Sequence, residues 1–176
     1  MSLPQSDNQI IMNKIIVIGC PGSGKSTFAR ALHGITGIPL FHLDMLYWNR
    51  DKTTVEKDIF HERLASVLQK NQWIIDGNYS STMELRIQQC DTVIFLDYSV
   101  DVCLAGIRQR QGKARSDIPW VDSEEDAEFI TFIQRFNTQS RPQVIELLSQ
   151  YPNKRIHIFT NRREADLFLT QLKPSS

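Results

Sequence analysis

The chain has 176 residues, enough for one domain with a hydrophobic core of its own. Twenty Lys and Arg balance twenty Asp and Glu, so no net field recruits nucleic acid or an anionic membrane. Cys20, Cys90 and Cys103 are odd in number, scattered, and at no metal-ligand spacing with the four histidines, which predicts a reduced, cytoplasmic protein without a disulfide framework or zinc site.

Residues 1–13 open polar and read as a flexible leader, in which Met12 is an alternative start. No signal peptide or membrane-spanning run is visible, so no membrane partner is expected. Ile15–Ile18 is an unbroken β-branched run, the mark of a strand buried on both faces. Gly19-Cys20-Pro21-Gly22-Ser23-Gly24-Lys25-Ser26-Thr27 follows, a phosphate-loop motif. Phe28, Ala29 and Leu32 then fall at helical spacing, with Gly34 and Gly37 punctuating the helix end.

Strand, glycine-rich loop and helix thus come in the order that polyphosphate binding requires. Free N–H groups at a helix start, with the helix dipole behind them, suit an anion. Gly22 and Gly24 let the backbone approach the phosphates. Lys25 reaches the β- and γ-phosphates, Ser26 ligates Mg²⁺, and Thr27 adds a phosphate contact. Cys20 is either a reactive thiol near a helix N-terminus or a small loop residue.

Pro39–Leu43 reads as a short strand with Asp44 at its carboxyl end, where open α/β sheets place ligands. Met45–Arg50 shows neither strand nor helix rhythm. It is either a loop folding its aromatics onto the core or an acceptor wall, with Tyr47 or Trp48 stacking on a ring and Arg50 beside them. Thr53 and Glu56 fit a capping box opening a helix to about Lys70. Trp73–Gly77 is a buried strand ending in Asp76, an acid placed to orient Mg²⁺ and its waters. Asn78 and Tyr79 extend into the same cleft, and Ser81–Gln89 is a short helix carrying Arg86.

Thr92–Asp97 is the fourth strand, followed by a helix from about Asp101. The run from Arg108 to Arg115 holds four cations and no acid before an aperiodic stretch, and reads as a mobile lid over about 109–122. Ser123 caps a helix with an acidic start, Glu124-Glu125-Asp126. Arg135 and Arg141 add cations near the lid hinge, Pro142 suits a helix first turn, and Lys154–Phe159 is the fifth strand. Asn161 and Glu164 have capping-box spacing at the last helix. Five strands interleaved with helices predict one α/β domain over 14–173. It is a phosphate-loop NTPase fold of three α/β/α layers, with a five-stranded parallel sheet and a small arginine-bearing lid.

Gly19–Thr27, Trp73–Gly77 and the arginine lid resemble the nucleoside monophosphate kinases. Phe41–Trp48 and Trp73–Tyr79 look more specifically like the adenylate-kinase-related proteins labelled topology modulation protein, the FlaR-like group. The resemblance implies an ATP- and Mg²⁺-dependent phosphotransferase acting on a nucleotide or small metabolite. The alternative it carries is an ATP-binding regulator linked to DNA topology or gene regulation, and a simple NTPase is a third reading. It implies that the loop amides and Lys25 hold ATP, Ser26 and Asp76 serve Mg²⁺, and Arg108, Arg110 and Arg115 are lid arginines. Arg135 and Arg141 approach from the following helix, and Asn161 lies near the adenine. Asp44 faces the acceptor, with Tyr47, Trp48, Arg50, Tyr79 and Arg86 around it. Adenylate kinases carry an arginine shortly after Asp-Gly; here Asn78-Tyr79-Ser80-Ser81 stands there, so the acceptor is open. No direct nucleic-acid contact is expected, and the chain is read as a monomer or weak homodimer.

Overall fold

A computed structural model describes residues 11–119 and 127–173. Five strands form one sheet in the order β2-β3-β1-β4-β5: β1 (Lys14–Gly19), β2 (Leu40–His42), β3 (Trp73–Asp76), β4 (Thr92–Leu96) and β5 (Arg155–Phe159). Every neighbouring pair is parallel. The connecting helices are α1 (Lys25–Thr36), α2 (Leu43–Tyr47), α3 (Lys57–Leu68), α4 (Ser80–Gln89), α5 (Val100–Arg110), α6 (Ala127–Gln139), α7 (Arg141–Ser149) and α8 (Arg162–Leu172).

Strand alternation divides the core in two. Ile15 and Val17 of β1 point to one face, where α1, α5, α6 and α8 contribute Phe28, Leu32, Cys103, Ile133, Phe136 and Leu169. Ile16 and Ile18 point to the other, against Phe60 and Leu64 of α3, Met83 and Ile87 of α4, and Leu148 of α7. All four β1 side chains are essentially inaccessible. Each contributes roughly 1.5–3 kcal/mol of apolar burial, which is why the strand needs no polar face. The predicted fold class is the observed one.

Several boundaries differ from expectation. α1 runs through Gly34 to Thr36 and stops at Gly37, which is left-handed and donates its N–H to His33 O. β2 ends at His42, and the stretch expected to be irregular forms α2, so Asp44 lies in that helix's first turn. The expected Thr53–Glu56 capping box does not form. Thr53 Oγ1 donates to Asp51 and Thr54 bridges Trp48, while Glu56 caps α3 without a side-chain bond. Half of the Asn161–Glu164 box forms: Asn161 Oδ1 accepts from Glu164 N at 3.0 Å, but the Glu164 carboxylate reaches one residue further back, accepting from Thr160 N at 2.7 Å. Of the expected leader, Met12 is buried in the core and Asn13 N donates to Asp91 Oδ2 at 2.9 Å. Residues 1–10, the far end of the expected lid at 120–122, and the Ser123–Asp126 helix start lie outside the described residues.

Candidate active site

The carboxyl ends of β1, β2 and β3 open onto a cleft of about 330 Å³. Its floor is the phosphate loop and the start of α1, its walls are Asp44, Asp76 and Gly77, and its roof is Arg110, Lys113, Arg115 and Asp117.

The loop lies directly on α5. Gly22 has φ +85°, and a Cβ there would sit 2.0 Å from Cys103 O; a Cβ on Gly106 would sit 2.0 Å from Gly22 O. Both positions therefore exclude a side chain for want of space, and Gly22 for backbone conformation as well. Gly106 carries no motif signal and sequence reasoning missed it. No side-chain cap closes the N-terminus of α1, so the amides of its first turn face the cleft unengaged by a capping group. Lys25 Nζ donates to Cys20 O at 3.3 Å. Burial lowers the Lys25 pKa first, and the nearby Arg110 charge lowers it further. An ammonium in such a place gains from a polyphosphate anion. Arg30, also missed, donates to Ser26 Oγ (3.3 Å), Thr27 Oγ1 (3.2 Å) and Ser116 Oγ (2.9 Å), tying the helix start to the segment after α5. Uncapped amides, glycine cradle and converging cations fit a nucleoside triphosphate. Ser26 and Asp76, both on the cleft, are oxygen donors of the kind Mg²⁺ takes alongside water and phosphate. Among the described residues no cluster of three or more acids, histidines or cysteines competes for a metal.

The acceptor side is built by strand register. β2 pairs with β3 so that His42 stands opposite Asp76. His42 Nδ1 lies 2.8 Å from Asp76 Oδ2. Two residues on, Asp44 Oδ1 accepts a short hydrogen bond from the Tyr79 hydroxyl. Burial raises the Asp44 pKa above its ordinary 3.8; the Tyr79 bond and Lys25 oppose the rise, and Asp117 and Asp76 add to it. Burial and the facing carboxylate push the Tyr79 phenol upward, so it remains a donor. A half-buried carboxylate with a raised pKa, beside a phosphate site, has the chemistry of a general base.

The remaining predicted residues divide. Arg110 and Arg115 reach the cleft, and Arg115 pairs with Asp117 through Nε–Oδ1 (2.9 Å) and Nη2–Oδ2 (2.7 Å). Burial raises the Asp117 pKa, but the Arg115 bonds and charge outweigh it and the net shift is downward. Arg108 and Arg135 are exposed and outside the cleft lining; both occupy the outward stripe of an amphipathic helix. Arg141 does not reach the cleft either. Its Nε and Nη2 donate to Asp97 at 2.8 Å each, fixing α7 to the end of β4. Asn161 is consumed as the α8 cap, and its neighbour Arg162 lines the cleft instead. Gly19, Cys20 and Ser23 are buried and Pro21 is partly exposed, and none of the four lines the cleft. Cys20 is buried, and its hydrogen bond with Cys103, together with burial, raises its pKa, the reverse of an activated thiolate.

Tyr47 and Trp48 do not line this cleft. Tyr47 packs edge-on against Trp48, Phe60 and Tyr79 with ring centroids 5.1–5.3 Å apart, which is the core-packing alternative for that segment. Arg50 is exposed. Arg86 is fully buried and bonds backbone carbonyls rather than facing the cleft.

A shikimate kinase from Flavobacterium johnsoniae is 32% identical over 137 residues, covering 68% of this chain and 78% of that enzyme. The chain belongs to the family of phosphate-loop kinases that includes shikimate kinase. An adenylate kinase from Thermotoga petrophila is 26% identical over 89 residues, 49% of this chain and 40% of that enzyme. No protein-family model matches. Among solved structures, shikimate kinase from Bacteroides thetaiotaomicron superposes with TM-score 0.57 at 20% identity, covering 92% of this chain and 96% of that one. Shikimate kinase from Acinetobacter baumannii, in complex with shikimate, gives 0.59 at 16% identity, covering 92% and 93%. These likenesses carry the fold, a phosphate-loop α/β/α sandwich. The relatives are kinases, and the family is one of phosphotransferases. Among the described residues no helix is long and apolar enough to cross a membrane.

Proposed function

We propose that the chain transfers the γ-phosphoryl group of Mg²⁺–ATP to a hydroxyl of a small polar molecule. The observation that carries this reading is the placement of Asp44 across one cleft from Lys25, with the uncapped start of α1 between the roof arginines and the acid wall. Asp44 would accept the hydroxyl proton. Lys25, Arg110 and Arg115 would neutralise charge spreading over the transferring phosphoryl oxygens, and Ser26 and Asp76 would hold Mg²⁺ directly or through water. When bound, the ion would supply positive charge to the phosphate oxygens.

A hydroxyl acceptor is favoured over a nucleoside monophosphate by Arg86. It is the only arginine between Asp76 and Arg108, and it is spent inside the protein on carbonyl groups.

The finer kinship with the topology modulation proteins is part of this proposal. The two stretches that carry it, Phe41–Trp48 and Trp73–Tyr79, are bonded to each other through His42–Asp76 and Asp44–Tyr79. They therefore make one wall. A cytoplasmic setting is proposed from three buried, unpaired cysteines.

The test is an ADP-release assay with Mg²⁺–ATP and a panel of polyols, hydroxy acids including shikimate, amino alcohols and nucleoside monophosphates. One hydroxyl compound should raise turnover at least a hundredfold over water. Turnover that no acceptor changes would defeat the reading, and a monophosphate as the best acceptor would defeat its hydroxyl half.

A further inference from the structure

The first strand outruns its neighbour. On one edge β1 stays paired with β4 as far as Gly19 opposite Leu96. On the other edge pairing with β3 ends at Val17 opposite Asp76, and the last backbone bond is Gly77 N to Val17 O at 3.1 Å. Gly19, where the phosphate loop begins, is buried with no strand on that side. The Asn78 side chain stands there instead. Its Oδ1 accepts from Gly19 N at 3.1 Å and its Nδ2 donates to Gly19 O at 2.7 Å. A carboxamide offers an acceptor and a donor side by side, as a neighbouring peptide unit does. Aspartate lacks the donor, and an apolar residue would leave both backbone groups buried and unmet.

The turn that presents Asn78 is held by an unusual device. Arg86 is buried at 0% exposure and donates through Nη1 to Gly77 O (3.1 Å) and through Nη2 to Asn78 O and Tyr79 O (3.1 Å to the latter). Its Nε donates to Thr82 Oγ1 at 3.2 Å, so the acceptors of these bonds are all neutral. Burial lowers its pKa to about 10, which leaves it charged at neutral pH. Burying a guanidinium against neutral acceptors alone is expensive, and an apolar residue would fill the space more cheaply. The same turn holds Tyr79 at φ +34°, a region that bulky residues avoid. The Tyr79 ring packs on Tyr47 and Phe60, but the buried guanidinium bonds only neutral groups of its own helix and of this turn. Its cost is explained if the position of this turn matters to the site.

We propose that Asn78 is a positioning residue of the phosphate loop, fixing Gly19 from the side where the sheet stops, and that Arg86 acts through Asn78 by holding its turn. This rests on the reading that the loop takes Mg²⁺–ATP. The geometry of Gly19 sets where the amides of Gly22 to Ser26 point, and misplacing such donors by about 1 Å costs on the order of a hundredfold in reaction rate.

The experiment is calorimetric titration of the full chain with Mg²⁺–ATP, and separately with Mg²⁺–tripolyphosphate, at a temperature well below unfolding. Wild-type binding tests the functional reading; the ratio of variant to wild type tests this inference. Asn78→Ala should weaken both ligands by about tenfold or more. Its Gly19 amide should lose hydrogen-exchange protection while amides in the middle of β1 keep theirs. Arg86→Met should weaken the same two ligands, and the double variant should bind no worse than the poorer single one. If Arg86→Met does not fold, Asn78→Ala decides alone. A folded Asn78→Ala that binds Mg²⁺–ATP like wild type, or that loses ATP but not tripolyphosphate affinity, overturns the proposal.

Discussion

Replacing Gly106 by alanine sets two effects of opposite sign against each other. Gly106 sits inside α5, and a glycine-to-alanine change in a helix interior ordinarily stabilises by about 1 kcal/mol. Here the new methyl would lie 2.0 Å from Gly22 O, against an ordinary carbon–oxygen contact beyond about 3 Å. The obstructing atom is backbone, so no rotamer change relieves the overlap, and α5 and the phosphate loop must separate by roughly 1 Å. Overpacking of this kind typically costs about 1–3 kcal/mol, which cancels or exceeds the helix gain. The same displacement moves the amides proposed to face the triphosphate, and a misplacement of about 1 Å costs on the order of a hundredfold in reaction rate. Gly34 is the matched control. It is exposed within α1, and a Cβ there meets nothing within 4 Å. Gly34→Ala should raise the melting temperature by about 2–4 °C, the equivalent of about 1 kcal/mol in a chain this size, and leave Mg²⁺–ATP affinity unchanged. Gly106→Ala should give no such rise and should weaken ATP binding. Differential scanning calorimetry and isothermal titration read the two quantities separately. A Gly106→Ala protein that is more stable and binds ATP normally would refute the argument that the loop is seated on α5.

Three further outcomes follow from the cleft. Lys25→Ala should abolish phosphoryl transfer while leaving circular dichroism and melting temperature near wild type, because the ammonium it removes is itself disfavoured by burial. Asp44→Asn should abolish transfer and yet raise the melting temperature at pH 7. Its folded pKa is raised above the ordinary 3.8, so the charged form is the disfavoured one at neutral pH; the gain should vanish below about pH 4, where both states are protonated, as melting curves across pH will show. Tyr79→Phe removes a donor to the ionised Asp44 while keeping the ring against Tyr47 and Phe60. The Asp44 pKa should rise further, so the acidic limb of the pH–rate profile with the acceptor found by the panel should move to higher pH; an unmoved limb contradicts the base assignment.

The fold was legible because its signals are local. Ile15–Ile18, Trp73–Ile75 and Val93–Leu96 are continuous apolar runs, and their burial on both faces is what such runs require. α2 was not legible. Five residues give too little periodicity, and the helix owes its existence to Leu43 burying in the core and Tyr47 packing on Phe60 and Tyr79, contacts distant in sequence. The missed capping box at Thr53 has a related cause. The short Asp51–Thr53 hydrogen bonds close a local turn that competes for the same hydroxyl.

The two halves of the cleft differed in legibility for one physical reason. In the proposed function the donor half would bind with consecutive backbone groups, so its chemistry has to be spelled in consecutive residues, and Gly19–Thr27 carries that motif. The acceptor half is assembled by strand register. His42 meets Asp76 because β2 and β3 align those two residues, and Asp44 meets Tyr79 just beyond the strand ends. No spacing in the chain encodes either meeting. The arginines show the same limit in reverse. Arg86, Arg108, Arg115, Arg135 and Arg141 are equivalent as letters. The structure gives one to backbone carbonyls, one to Asp97, leaves two exposed on outward helix faces, and brings Arg115 to the cleft with Asp117 beside it. A guanidinium is a strong donor wherever it lands, so its role follows from which acceptors the fold brings within 3 Å. Arg30 and Arg162, which no motif marked, lie on the cleft because the helices that carry them start there.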